Sequence, residues 1–138
     1  MIRPPNKKWK LLELALNDLR KAERSKKYVV DMNHWYKPNS VCRVCLAGSV
    51  MAFSLSVVPD KDAPDREIVP SDLGEAWDMA LLGLDSMRFG SFHCVPGVAG
   101  ELAELAYCKA GNPTYEKDRP KWLRTIRKCV RILKEANV

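Results

Sequence analysis

The sequence predicts a mainly α-helical protein: a compact bundle of about five helices around a central apolar helix, with at most one short strand pair. Apolar residues recur at helical spacing in four separate segments, and the segment 41–57 is apolar nearly all round. The 138 residues contain no internal repeat or low-complexity stretch and can bury a core of their own. We therefore expect a single domain that covers residues 1–138.

The first helix is predicted over residues 6–25, after Pro5, because proline favours a helix start. Its apolar positions recur at helical spacing: Trp9, Leu12, Leu16 and Leu19. The following segment, residues 28–36, is rich in aromatic and β-branched side chains. That composition favours a short strand or an extended arm.

The second predicted helix, residues 41–57, contains the longest apolar run of the chain, between Val44 and Val58. This run is shorter than the ~20 residues that cross a bilayer, so we expect a buried helix and no membrane span. A stripe of small residues on one side predicts close approach of a neighbouring helix. The stripe consists of Cys45, Gly48, Ser49, Ala52 and Ser56.

Three further helices are predicted after an acidic, proline-containing loop over residues 59–70. Asp72 and Glu75 resemble a capping box, and the apolar stripe that follows reaches Met87. A fourth helix over about residues 98–110 stops at Gly111-Asn112-Pro113. The fifth begins near Asp118 and turns four residues inward: Trp122, Ile126, Cys129 and Leu133.

Charge is unevenly distributed along the chain, whose net charge is +6. Residues 1–30 carry +6, residues 31–116 carry −6 and residues 117–138 carry +6. Basic ends around an acidic middle are typical of a nucleic-acid footprint. The interpretation favoured at this point is that two basic terminal helices pack around an acidic centre and largely neutralise it.

The sequence contains five cysteines, an odd number, and its first residues do not form a secretory signal. Both observations favour reduced thiols in the cytoplasm. Cys42 and Cys45 have zinc-knuckle spacing, but no glycine or proline shapes a knuckle between them. We therefore expect no metal site and no cofactor. Four other residues could have completed a zinc site: His34, His93, Cys94 and Cys108.

Cys45 is also the candidate nucleophile of a cysteine-dependent enzyme, with His93 as its base. The predicted helix N-terminus at Cys45 would lower its thiol pKa. Its apolar surroundings would raise that pKa and exclude substrate. Phosphate-binding loops and the common hydrolase motifs are absent from the sequence. We therefore expect a protein that is not an enzyme.

Two stretches resemble a known group of proteins. Residues 31–35 (Asp-Met-Asn-His-Trp) precede residues 42–52 (Cys-Arg-Val-Cys-Leu-Ala-Gly-Ser-Val-Met-Ala), and residues 80–90 form the second stretch. They resemble small uncharacterised proteins of tailed phages and prophages, in which a Cys-x-x-Cys-Leu-Ala-Gly helix follows an aromatic segment. The resemblance implies a phage-type accessory protein inside a bacterium. That group has no known activity, so no functional residue is assigned from it.

The C-terminal helix is the candidate nucleic-acid site, because six Lys/Arg lie between Lys121 and Lys134. Such a helix could follow phosphates while Trp9, Trp35 or Tyr36 stacks on bases. No helix-turn-helix, zinc-finger or ribonucleoprotein motif accompanies it. A solvated amphipathic face is therefore the competing interpretation. The candidate residues are Arg124, Arg127, Lys128, Arg131 and Lys134.

Trp35, Tyr36 and Met32 are the candidate protein-binding residues, because aromatic side chains in irregular segments often anchor interfaces. Ordinary core packing is the competing interpretation. We predict a non-enzymatic accessory protein that binds a host protein or a second copy of itself. A nucleic-acid-binding protein is the first alternative, and a cysteine-dependent enzyme is the second. The acidic loop offers a further surface: Asp60, Asp62, Asp65 and Glu67.

Overall fold

The structure, a computed structural model, describes residues 2–58, 66–85, 89–92, 95–107 and 115–138. Within these ranges the protein is mainly α-helical, as predicted. The helices are α1 (Lys8–Arg24), α2 (Leu46–Phe53), α3 (Glu75–Leu82), α4 (Val98–Tyr107) and α5 (Tyr115–Glu135). The strands are β1 (Tyr28–Val30), β2 (Tyr36–Lys37) and β3 (Cys42–Val44), and short 3-10 turns cover Pro70–Asp72 and Phe89–Phe92.

The core is shared by helices from both halves of the chain. Its largest fully buried side chains come from all five helices, from β2, from the second 3-10 turn and from the residues just after α3. Apolar residues at helical spacing produce this arrangement, since each helix turns one stripe inward. The fully buried set includes Leu12, Leu19, Leu46, Met51, Leu102, Leu105, Trp122 and Ile126.

Helix α1 and helix α5 are antiparallel neighbours. At one end the Trp9 N–H donates to the Val138 carbonyl at 3.2 Å. At the other end Arg119 Nε donates to Glu23 Oε2 at 2.6 Å. The predicted start of α5 near Asp118 was late, because Pro120 lies inside the helix instead of opening it. A proline there removes one helical hydrogen bond, which the long packed helix tolerates.

The predicted strand pair is a three-stranded sheet with the order β1-β3-β2. Strand β1 runs parallel to β3, with Val29 opposite Arg43, and β2 runs antiparallel to it. The predicted helix over residues 41–57 was wrong in its first part, since residues 42–44 form β3 and α2 begins at Leu46. Cys42 and Val44 are buried while Arg43 is exposed, which is the two-residue period of a strand.

Within the small-residue stripe, the backbone carbonyl of Trp35 packs directly against Gly48. A Cβ atom at Gly48 would lie 1.5 Å from the Trp35 carbonyl oxygen. That same oxygen accepts a hydrogen bond from the Cys45 N–H at 3.3 Å. Cys45 caps α2, because its Sγ accepts from the Gly48 N–H at 3.4 Å. At this glycine the chain before β2, not a neighbouring helix, makes the close approach.

The capping box predicted for α3 is a cap on the preceding turn. The Asp72 carboxylate accepts from the Val69 N–H at 3.0 Å and from Arg66 at 2.8 Å, so it closes the 3-10 turn. Helix α3 starts after Gly74, whose φ of +142° favours glycine. It ends at Leu82, before the predicted end at Met87, which lies outside the described residues. The predicted end of the fourth helix, residues 108–110, also lies outside them.

None of the helices in the described ranges is long and apolar enough to span a membrane.

Asp18 is a charged residue buried between α1 and α2. Ser54 Oγ donates to its Oδ2 at 2.5 Å, and Lys21 Nζ lies 3.6 Å from Oδ1. Burial raises the pKa of the Asp18 carboxyl, against the smaller effects of Ser54 and Lys21. A raised pKa means that the contribution of this group to stability is complete below pH 3.8 and is lost as pH rises through the folded-state pKa.

The substitution Asp18→Asn should therefore raise the urea midpoint of unfolding at pH 7, because it keeps an acceptor for Ser54 and removes the buried charge. The gain should shrink as pH is lowered towards 4. Glu13→Gln on the exposed side of α1 is the matched control and should leave the midpoint unchanged. A less stable Asp18→Asn variant at pH 7 would show that the Lys21 contact outweighs burial.

Candidate nucleic-acid interface

The solvent-facing side of α5 is strongly basic. The helix carries eight Lys/Arg and three acids, and its buried residues recur on the opposite side. Arg124, Arg127 and Arg131 lie within about 60° of one another around the helix and span ~10 Å along it. All three are exposed and make no ion pair within the described part of the chain. The candidate cations of α5 therefore share one accessible surface.

Two of the sequence-predicted basic residues have partners. Lys128 Nζ donates to Glu101 Oε1 of α4 at 2.9 Å. Lys134 Nζ lies 5.0 Å from the centre of the Trp9 ring, within the range of a cation–π contact. Lys128 is partly neutralised by its carboxylate, so Arg124, Arg127 and Arg131 are the stronger candidates.

Helix α1 extends this surface. Trp9 contacts Lys134 of α5, and Arg20 and Arg24 follow Trp9 on the same side of α1 by helical geometry. Arg24 is exposed and Arg20 half-buried, and neither makes an ion pair within the described ranges. Neighbouring helix axes lie 8–10 Å apart, so the two sets are adjacent. We name this surface the basic face: Arg20, Arg24, Arg124, Arg127, Arg131 and Lys134.

The acidic middle of the chain neutralises little of this charge. Among the described residues, one ion pair joins a terminal helix to the middle segment, and it is Lys128–Glu101. Arg43–Asp31 at 2.9 Å and Arg66–Asp72 at 2.8 Å lie within the middle segment itself. The described contacts thus lend little support to neutralisation of basic terminal helices by an acidic centre.

Sequence reasoning identified the cations of α5 but missed those of α1. The net charge of +6 over residues 1–30 was the available indication. It could not assign Arg20 and Arg24 to the same surface as α5, because which helices become neighbours depends on tertiary packing.

The residues predicted to bind a protein lie mostly in the core. Tyr36 is 0% exposed and Met32 is 5% exposed. The Tyr36 hydroxyl donates to the Val57 carbonyl at 2.7 Å, which joins β2 to the chain that follows α2. Half-buried Trp35 donates its backbone N–H to Glu67 Oε1 at 2.7 Å and packs its backbone carbonyl against Gly48. Trp35 and Tyr36 thus connect the chain around β2 to α2 and to the residues after it, and they do not form an exposed aromatic patch.

The cysteines in the described part of the chain are buried, free thiols: Cys42, Cys45 and Cys129. Burial raises the pKa of Cys45 to about 12, more than the Gly48 N–H lowers it, and raises the pKa of Cys42 and of Cys129 to about 11. His93, the proposed base, and Cys94 and Cys108 lie outside the described residues. The His34 Nε2 atom lies 3.9 Å from Asp31 Oδ2, and its Nδ1 atom lies 4.0 Å from Glu67 Oε1. No described group of three or more His, Cys, Asp or Glu residues could hold a metal ion.

These three thiols should resist alkylation in the folded protein. A thiol whose pKa lies two units or more above its ordinary value presents about 100-fold less thiolate, and burial also excludes the reagent. Iodoacetamide at pH 7.5, followed by peptide mass spectrometry, should label Cys42, Cys45 and Cys129 more than tenfold more slowly in folded protein than in urea. Equal labelling rates of Cys45 in the folded protein and in urea would instead support the alternative of a cysteine-dependent enzyme.

Comparisons with protein-family models, with curated proteins and with solved structures found no match to this chain.

Proposed function

We propose that the protein binds duplex nucleic acid through the basic face, by contacts to the phosphate backbone that do not depend on base sequence. The observation that carries this proposal is the set of three exposed arginines on α5, which make no ion pair with a described residue and lie beside two arginines of α1. Each guanidinium can donate two parallel hydrogen bonds to one phosphate. Arg124 to Lys134 covers ~15 Å, the rise of about four nucleotides along one strand of a duplex.

A duplex is favoured over a single strand because the described residues include no well-exposed aromatic ring on which a base could stack. Proteins that bind single strands interleave cations with exposed aromatic rings. The large apolar side chains that are exposed in the described ranges are all aliphatic or methionine: Ile2, Val29, Val58, Val69 and Met79. Trp9 is half-buried and lies near the ammonium groups of both Lys10 and Lys134, so its ring is not an open platform.

Three expectations from the sequence remain proposals. The resemblance to phage and prophage proteins supports a phage-type accessory role in the cytoplasm of a bacterial host. Protein binding through Trp35, Tyr36 and Met32 has less support, because two of these side chains are buried. We also propose that α2 is the helix around which the others pack, since six of its eight residues, Leu46–Met51, are buried.

Fluorescence anisotropy of the full chain with a labelled duplex and a labelled single strand of equal length tests the function. We expect submicromolar binding of the duplex at about 50 mM salt, weaker binding of the single strand, and steep loss of both with added salt. Duplexes of unrelated sequence should bind equally well, since phosphate contacts carry no base information. Failure to bind the duplex at low salt would leave the basic face as a solvated surface.

A further inference from the structure

The β1 strand has a free backbone edge. The Cys42 N–H donates to the Lys27 carbonyl at 3.0 Å, and the Asp31 N–H donates to the Val44 carbonyl at 2.8 Å. Lys27, Val29 and Asp31 therefore turn their backbone groups towards β3, and Tyr28 and Val30 turn theirs outward. The Tyr28 N–H donates to the Ser25 carbonyl at 3.4 Å. The Val30 N–H and the carbonyls of Tyr28 and Val30 have no partner within the described ranges.

The opposite edge of the sheet is partly covered. The Ile68 N–H donates to the Tyr36 carbonyl at 2.9 Å, so a neighbouring segment of the chain occupies the outer side of β2. Proteins usually cover or blunt an edge in this way, because unpaired backbone groups are a template for another strand. In the described part of the molecule, β1 is the edge without such cover.

A groove of about 410 Å³ runs beside this edge, between β1 and the first turn of α5. This volume lies within the range of small binding sites. Residues 28–30 form one side of the groove, and Val29 is 44% exposed. The other lining residues are Glu23, Tyr115, Glu116 and Arg119.

The α5 side of the groove is held in place by hydrogen bonds. The Glu23 carboxylate accepts from the Tyr115 hydroxyl and, at 2.6 Å, from Arg119 Nε. Burial and the Glu23 carboxylate raise the pKa of Tyr115, so its hydroxyl stays a donor at physiological pH. These contacts join α1 to α5 and give the groove a wall that need not rearrange on binding.

The charge of the groove is opposite to that of the whole chain. Two carboxylates, Glu23 and Glu116, face one guanidinium, Arg119. Glu23 is already paired with Arg119, whereas Glu116 is exposed and makes no ion pair within the described residues. The groove thus offers one unpaired carboxylate in a protein of net charge +6.

We propose that the groove binds an extended segment of another protein, which adds to β1 as an edge strand and places a Lys or Arg side chain against Glu116. A backbone edge is satisfied by another backbone, and alternate side chains of the added strand give specificity. A second copy of this chain is disfavoured, because it would bring a groove of the same charge. None of the basic-face residues lines the groove, so this site is separate from the proposed nucleic-acid interface.

The test uses the full chain and a capped synthetic peptide, Thr-Val-Lys-Val-Thr, followed by amide NMR spectra. We expect chemical-shift changes confined to residues 28–30 and the first turn of α5. The same peptide, N-methylated on its central amides, should bind about threefold to tenfold more weakly. Val30→Pro should weaken binding similarly, because it removes an outward donor and leaves the β1–β3 hydrogen bonds intact.

Glu116→Lys is a second test, which stays valid even if Val30→Pro fails to fold. It should weaken binding of the lysine-containing peptide by up to about fivefold and restore binding of a peptide that has glutamate in place of the lysine. Equal binding of the N-methylated peptide, or no shifts at residues 28–30, would overturn the proposal. So would a dimer in sedimentation equilibrium that Val30→Pro dissociates, since the occupant would then be a second copy. Nucleic-acid binding should be unchanged in Val30→Pro, which alters no charge, so the two proposals fail separately.

Discussion

The substitution Gly48→Ala should unfold the protein or destabilise it by about 3 kcal/mol or more, although glycine to alanine inside a helix normally stabilises by ~1 kcal/mol. The added Cβ would lie 1.5 Å from the Trp35 carbonyl oxygen and 2.7 Å from its carbon. Both atoms are backbone, so no flexible side chain can move aside. To remove this clash, the Trp35 carbonyl would have to break its hydrogen bond with the Cys45 N–H. That movement would separate the chain before β2 from the start of α2.

Gly100→Ala is the matched control for this change. Gly100 lies in α4, is exposed, and has nothing within 4 Å of an added Cβ. Its replacement should raise the free energy of unfolding by about 0.5–1 kcal/mol through helix propensity alone. Urea denaturation followed by circular dichroism measures both variants. If Gly48→Ala proved as stable as Gly100→Ala, the packing of Trp35 on α2 and the proposal that other elements pack around α2 would both be wrong.

Replacing Arg124, Arg127 and Arg131 together with Gln should weaken duplex binding by roughly 100-fold at about 50 mM salt. The variant loses three phosphate contacts, so fewer counterions are released when it binds. The side chains are exposed, so the free energy of unfolding should change by about 0.5 kcal/mol or less.

A second triple variant separates the basic face from net charge. Arg3, Lys37 and Arg66 belong to neither α1 nor α5, and their replacement with Gln also lowers the net charge from +6 to +3. This variant should lose less than tenfold in affinity, because distant exposed charges are screened. Equal losses in the two triple variants would mean that total charge, and not the arrangement on α1 and α5, determines binding.

Helices were predictable where the apolar period was regular. Helix α1 begins and ends within two residues of its prediction, because its stripe is uninterrupted between basic ends. Strand β3 was missed because Cys42 and Val44 continue into the apolar run of α2, so that the two-residue period around Arg43 is too short to recognise. A period of two residues becomes informative only when a pairing strand is known.

The candidate site was predictable in composition and not in arrangement. The spacing of Arg124, Arg127 and Arg131 within one helix follows from the sequence, since helical geometry is local. The pairing of Lys128 with Glu101, and the contribution of Arg20 and Arg24, depend on which helices meet. The burial of Tyr36 has the same origin, because an aromatic residue in an irregular segment suits a core as well as an interface.

The dependence of duplex affinity on salt tests the nucleic-acid proposal most directly. Anisotropy titrations of the wild-type chain and of the Arg124/Arg127/Arg131 variant, over a salt series, give two slopes of log affinity against log salt concentration. If these arginines contact phosphates, the slope of the variant should be shallower by about 2 to 3, because each contact contributes ~0.9. Equal slopes, or a wild-type chain that does not bind the duplex at the lowest salt, would contradict a phosphate-binding role for the basic face.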